Sequence, residues 1–130
     1  MTRPAKVVID LAALRHNYSR VEQLTPGSKI MAVVKADAYG HGITRVASAL
    51  SSADAFGVAC LEEAEQLRAA NINQPIVLLE GPYSASELAL IDSLNLDIVV
   101  HHKAQLEMLE KCQLKKPLRV WLKIDSGMHR

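Results

Sequence analysis

The sequence predicts an α/β fold built on a parallel sheet. Two observations carry that prediction: short apolar runs recur along the 130 residues, and segments with apolar residues at helical spacing separate them. Strand, helix, strand, helix in that order calls for right-handed crossovers, which leaves a doubly wound sheet or a (β/α) barrel. Periodicity alone does not separate the two.

Each element has a local signal. Residues 6–9 read as a short strand, after which Asp10 can cap a helix carrying Leu11, Leu14, Tyr18 and Val21 at helical spacing until Thr25-Pro26-Gly27 stops it. Residues 29–34 read as the next strand. Ile43, Val46, Ala47 and Leu50 return to helical spacing, and residues 55–60 form a second apolar strand. Glu62, Glu63 and Glu65 open the following helix and Arg68 closes it, the order the helix dipole favours. Pro75 introduces a strand at 76–79, and Ser84-x-x-Glu87 has the form of a capping box. Residues 96–100 are the next strand. A helix from about Lys103 carries Met108, Leu109 and Cys112 on one side, and residues 118–125 form a last strand after Pro117.

A chain of 130 residues makes one modest domain with a real core. Hydrophobic residues at 49% and charged residues at 22% place it among globular proteins rather than disordered ones. The formal net charge of +1 creates no strong field toward nucleic acid or anionic membrane, so neither is an expected partner. Cys60 and Cys112 lie far apart without metal or redox spacing, which suits small buried thiols in a reducing cytoplasm. There is no signal-peptide pattern and no apolar run long enough to cross a bilayer. The chain stops at "KIDSGMHR", where a strand runs into a Gly-containing loop; in parallel α/β folds such loops bind ligands, so the sequence reads as part of a longer protein.

The stretch "MAVVKADAYGHG" carries the chemistry. Along the strand Met31, Val33 and Lys35 share one face, so the lysine stands among apolar neighbours where desolvation favours the neutral amine. A neutral amine can condense with an aldehyde to form a Schiff base. The plain alternative is a lysine that snorkels to water. Tyr39 adds a hydroxyl four residues later, and Gly40 and Gly42 leave backbone amides free to approach an anion such as phosphate, though glycines after a strand also make ordinary turns. His41, in a Gly-flanked turn, is expected to pack or hydrogen-bond there. His101 and His102 face opposite sides of a strand and lack partners at ligand spacing, so no metal site is expected.

"AVVKADAYGHG" resembles the cofactor-lysine motif of the alanine racemases, and "LKIDSGMHR" resembles a second motif of the same family, with "FGVACLEEAEQLR" and "PIVLLEG" between them. Asp37 stands where Asn is usual and Ser126 where Thr is common. The resemblance implies the amino-terminal five strands of a (β/α)8 TIM-type barrel that binds pyridoxal phosphate, with a separate carboxyl-terminal β domain outside these residues. It implies that Lys35 holds the cofactor and exchanges the α-proton on the D-alanine face, and that Tyr39 hydrogen-bonds the cofactor phosphate. Arg130 would contact the cofactor's phenolic oxygen and orient the substrate carboxylate. Lys123 matches a lysine carbamylated in many members; a carbamate there could pair with Arg130. Arg119, Trp121, Lys123 and Asp125 share one strand face, which suits a polar site or an ordinary exposed surface.

The implied activity is interconversion of L- and D-alanine, supplying D-alanine for peptidoglycan, by a cytoplasmic homodimer acting on a small amino acid. In the family a tyrosine from the partner subunit is the second base, and an arginine faces the pyridine nitrogen; neither is among these residues. Two rivals remain: another barrel-type racemase or decarboxylase using the same lysine, and a non-catalytic pyridoxal-phosphate-binding protein, whose motif lacks "DAYGHG".

Overall fold

A computed structural model describes residues 4–129. Helix α1 (Leu11–Leu24) starts where Asp10 accepts hydrogen bonds from the amides of Ala12 (2.9 Å) and Ala13 (3.0 Å), and it stops at Thr25, whose hydroxyl donates back to the Val21 carbonyl at 2.8 Å. Then come β1 (Met31–Val33), a short turn α2 (Lys35–Gly40), α3 (Ile43–Ala49), β2 (Ala55–Val58), α4 (Leu61–Ala69) and β3 (Ile76–Leu78). A 3-10 turn (Ala85–Glu87) leads into α5 (Leu88–Ser93), followed by β4 (Asp97–Val100), α6 (Lys103–Lys111) and β5 (Val120–Leu122).

All five strands are parallel and lie in the order β1-β2-β3-β4-β5. That order decides between the two architectures left open above. A doubly wound sheet reverses its strand order at a switch point, whereas successive crossovers in one direction keep the helices on one face and curl the sheet toward a barrel. The five strands are therefore a partial (β/α) barrel.

Alternation sorts each strand into two faces. Val34, Phe56, Val58, Ile76, Leu78, Ile98 and Val100 pack into one core with the buried faces of α3, α4 and α5, including Ile43, Val46, Leu67, Leu88 and Ile91. Each of the larger side chains contributes roughly 1.5–3 kcal/mol of burial. The opposite, concave face carries the row Val33, Gly57, Val77 and Asp97, with Val99 on the same strand as Asp97 beside Trp121 of β5. A Cβ on Gly57 would lie 3.3 Å from Met31 Sδ and 3.2 Å from Leu79 Cδ1, so this face is tightly filled near β1 and β2.

Three expectations change. Residues 6–9 are not a strand: among the described residues no strand edge pairs with them, and Val7 and Val8 are 84% and 72% exposed. A period-two pattern makes a strand only when an edge is there to bond it. The capping box does not form, because Glu87 accepts from the Tyr83 amide at 3.0 Å instead of the Ser84 amide and the Ser84 hydroxyl turns to Ser86. The strand at 118–125 shrinks to Val120–Leu122, with every residue exposed.

Candidate active site

The polypeptide leaves β1 through Val34, whose amide donates to the Gly57 carbonyl at 2.9 Å, and Lys35 follows, half-buried at the carboxyl end of the sheet. Beyond it the chain does not turn in the ordinary hand. Ala36, Asp37, Ala38 and Tyr39 all have φ between +52° and +55°, a full left-handed turn without a glycine. L-residues lose roughly 1–2 kcal/mol each in that conformation, so the turn persists only because its surroundings hold it.

The holding groups can be named. The Ala38 amide donates to the Val34 carbonyl (2.8 Å) and the Gly42 amide to the Asp37 carbonyl (2.9 Å). The Asp37 carboxylate accepts from the Ile43 amide at 2.8 Å, and His41 Nδ1 pairs with the Ala38 carbonyl at 2.8 Å. Asp in place of Asn at position 37 keeps the one acceptor this bond needs. Glu63 reaches across from α4: one carboxylate oxygen accepts from the Ala36 amide (2.6 Å), the other from the Ala59 amide (2.8 Å). His41, though exposed, therefore hydrogen-bonds within the turn, one of the two expected outcomes. Gly42 departs from expectation: its amide closes the turn instead of facing an anion, and Gly40 and Gly42, at φ +83° and +90°, supply conformational freedom at its end.

At the carboxyl ends of the strands lies an open cleft of about 800 Å³ whose lining includes Lys35, Tyr39, Glu80, Trp121, Lys123 and Met128. Three of the predicted residues, Lys35, Tyr39 and Lys123, are thus brought to one place from β1, its following turn and β5. Arg130 lies outside the described residues. A second groove of about 500 Å³, between α1 and the β1 end, also touches Tyr39 but not Lys35. Of the two, only the first is lined by Lys35 and Lys123.

The last strand is anchored from its concave face. Arg119 and the Trp121 ring nitrogen both donate to the buried Asp97 carboxylate at 3.2 Å, and the Lys123 amide donates to the Val100 carbonyl at 3.0 Å. Asp125, expected on the same face, turns into its own loop, where it accepts from the amides of His129 (2.9 Å) and Gly127 (3.0 Å) and from the His129 ring. Those bonds hold its carboxyl below the ordinary range. Burial pushes the Cys60 thiol up, as it does the Tyr83 hydroxyl. His101 faces the Glu80 carbonyl at 3.2 Å, and His102 caps α6 by accepting from the Ala104 amide at 3.1 Å.

The sequence reading missed Glu63, Gln105 and Asp97. Glu63 looked like a helix-dipole acid, since its bond to Ala36 spans 27 positions and leaves no local signature. Gln105 is buried and donates to the Glu80 carbonyl at 2.8 Å while accepting from the His101 amide at 3.0 Å, fixing the loop that walls the cleft.

Residues 9–130 match the family described as alanine racemase, N-terminal domain. The chain belongs to that family. It is 61% identical over 129 residues to an alanine racemase of Pseudomonas taetrolens, and 61% identical to a catabolic alanine racemase of Pseudomonas putida, covering 98% of this chain and 36% of each relative. The biosynthetic alanine racemase of Pseudomonas aeruginosa superposes with a TM-score of 0.90 at 50% identity, over 94% of this chain and 34% of that one. An alanine racemase of Bartonella henselae with covalently bound pyridoxal phosphate gives 0.70 at 34% identity, over 78% and 29%. The chain thus spans about a third of the length of its alanine racemase relatives.

Proposed function

We propose that this chain is the cofactor-lysine part of a pyridoxal-phosphate-dependent alanine racemase, and that the complete protein interconverts L- and D-alanine as a cytoplasmic homodimer, supplying D-alanine for the cell wall. The observation that carries the reading is a half-buried primary amine, Lys35, at the carboxyl end of β1, in one cleft with the Tyr39 hydroxyl and Lys123. The high identity to alanine racemases supports it.

The residues fit the cofactor's chemistry. An aldehyde-bearing phosphate ester needs an amine, a donor for the phosphate and an apolar wall for the ring, and Lys35, Tyr39 and Leu79 offer these in the cleft. Pyridoxal phosphate supplies an electron sink that makes the substrate's α-proton removable. Lys35 would hold the group by condensing its amine with the aldehyde, water leaving as the bond forms, and, once freed by substrate, would take and return the α-proton on the D-alanine face. The Tyr39 hydroxyl donates to the phosphate. Arg130 orients the substrate carboxylate. Lys123, once its ammonium gives up a proton, would react with carbon dioxide and release a second, and the resulting carbamate would pair with Arg130. The second base, the remaining strands and a carboxyl-terminal β domain come from residues outside this chain.

The test is titration of the complete protein with pyridoxal phosphate, followed by borohydride reduction and peptide mapping. The label is expected on Lys35, and Lys35→Ala is expected to lose it together with at least about a hundredfold in turnover, the scale of a lost general base. A label elsewhere, or full turnover in that variant, overturns the reading. Native mass spectrometry is expected to find a carbon dioxide adduct on Lys123; an unmodified side chain in the loaded protein removes that role.

A further inference from the structure

We infer that Glu63 is a positioning residue for Lys35, aiming its amine into the cleft by pinning the peptide that follows it. The inference rests on the proposed role of Lys35.

The reasoning starts from the strain. Four successive left-handed residues begin immediately after Lys35, so the peptide joining Lys35 to Ala36 is where the chain changes hand. Its orientation sets the direction in which the lysine side chain leaves the backbone. The amide of that peptide belongs to Ala36, and it donates at 2.6 Å to Glu63 Oε1. The other oxygen of the same carboxylate accepts at 2.8 Å from Ala59, just past the end of β2. The other bonds named above as holding the turn run within residues 34–43. Glu63 ties the turn to the neighbouring strand.

The chemistry calls for a carboxylate. Two backbone N–H groups converge on one side chain, and an ionised carboxylate offers an acceptor oxygen to each. Glutamine, with the same length, turns an NH2 toward one of the two donors. Aspartate keeps the charge but is one carbon too short to span both. Without the pin, the turn can relax toward an unstrained hand, and the amine no longer points in one direction.

The experiment compares wild type, Glu63→Gln, Glu63→Asp and Lys35→Ala in the complete protein. It reads the apparent Kd for pyridoxal phosphate, the borohydride-trapped label on Lys35, amide exchange at Ala36 with Phe56 as a control in the sheet, and the unfolding midpoint. Both Glu63 variants are expected to weaken cofactor capture by about tenfold or more, the effect of one charge-assisted hydrogen bond, and to speed exchange at Ala36 while Phe56 is unchanged. A purely electrostatic role predicts rescue by aspartate, so wild-type behaviour of Glu63→Asp overturns the inference. So does a folded Glu63→Gln with wild-type Kd and Ala36 exchange. If neither variant folds, wild-type exchange decides: protection of Ala36 comparable to Phe56 is expected, and exchange as fast as in an exposed loop refutes the pin. Loss of label in Lys35→Ala with normal Glu63 variants sinks only the positioning role, whereas full turnover in Lys35→Ala sinks the proposed function.

Discussion

At Gly81 the fold admits a hydrogen and little else. Its φ is +71°, and a Cβ would stand 2.2 Å from the Val99 carbonyl oxygen and 2.6 Å from Gln105 Nε2. The loop from Glu80 to Pro82 is thereby wedged against the end of β4, with the Gln105 amide donating to Glu80 at 2.8 Å. Gly81→Ala is expected to destabilise the protein by about 2–4 kcal/mol, combining overpacking with the positive-φ penalty, as a lower urea midpoint. An unchanged midpoint would mean that the loop gives way freely. Reading the sequence could not single out Gly81, since the colliding atoms lie 18 and 24 positions further on. The place of Lys35 at the end of β1 was legible because its surroundings are local: an apolar strand precedes it and the Tyr-Gly-His-Gly run follows it. Glu63 was not, since its role exists only once α4 stands beside the β1 end.

Two turns organise the cleft, and neither was predictable in form. The segment after Lys35 contains Ala, Asp, Ala and Tyr, residues that favour the right-handed region when left to themselves, and the bonds made by Val34, Asp37, His41, Gly42 and Glu63 hold it left-handed. The loop after β5 is closed by Asp125, which collects donors from Gly127 and His129. Because these bonds hold the Asp125 carboxyl lower in the folded loop than in an unfolded chain, their contribution is complete above the ordinary carboxylate value of about 4. It is lost as pH falls through the depressed folded value. The Gly127 amide resonance is expected to move toward its random-coil position in acid below about pH 4. A Gly127 amide that does not respond to that acid would show that Asp125 does not close the loop. Strand starts and stops were legible to within a few residues; residues 6–9 failed because their pattern has no edge to bond.

The five parallel strands make an open sheet whose β5 end is exposed: Trp121 is 47% and Leu122 75% accessible, and Ile124 and Met128 beyond them are also open. A barrel closes with about eight strands, and an edge of this kind invites pairing or aggregation. The 130-residue chain by itself is therefore expected to give no measurable alanine racemisation, and the turnover proposed above is expected of the complete protein alone; robust turnover by the isolated chain would refute the requirement for residues outside it. Local sequence determined the alternation of strands and helices, the Asp10 cap, the lysine at a strand end and the motifs that announce the family. These depend on neighbours within a few positions, where periodicity, capping and turn chemistry act. The strand order that makes this a barrel rather than a doubly wound sheet, the left-handed turn and the Glu63, Gln105 and Asp97 contacts came only with the tertiary structure. The strand pairings and the bonds that tie Glu63 to Ala36, Gln105 to Glu80 and Asp97 to Arg119 join groups 20 or more positions apart, and no short stretch of sequence encodes which backbone donors a side chain will meet once the sheet has formed.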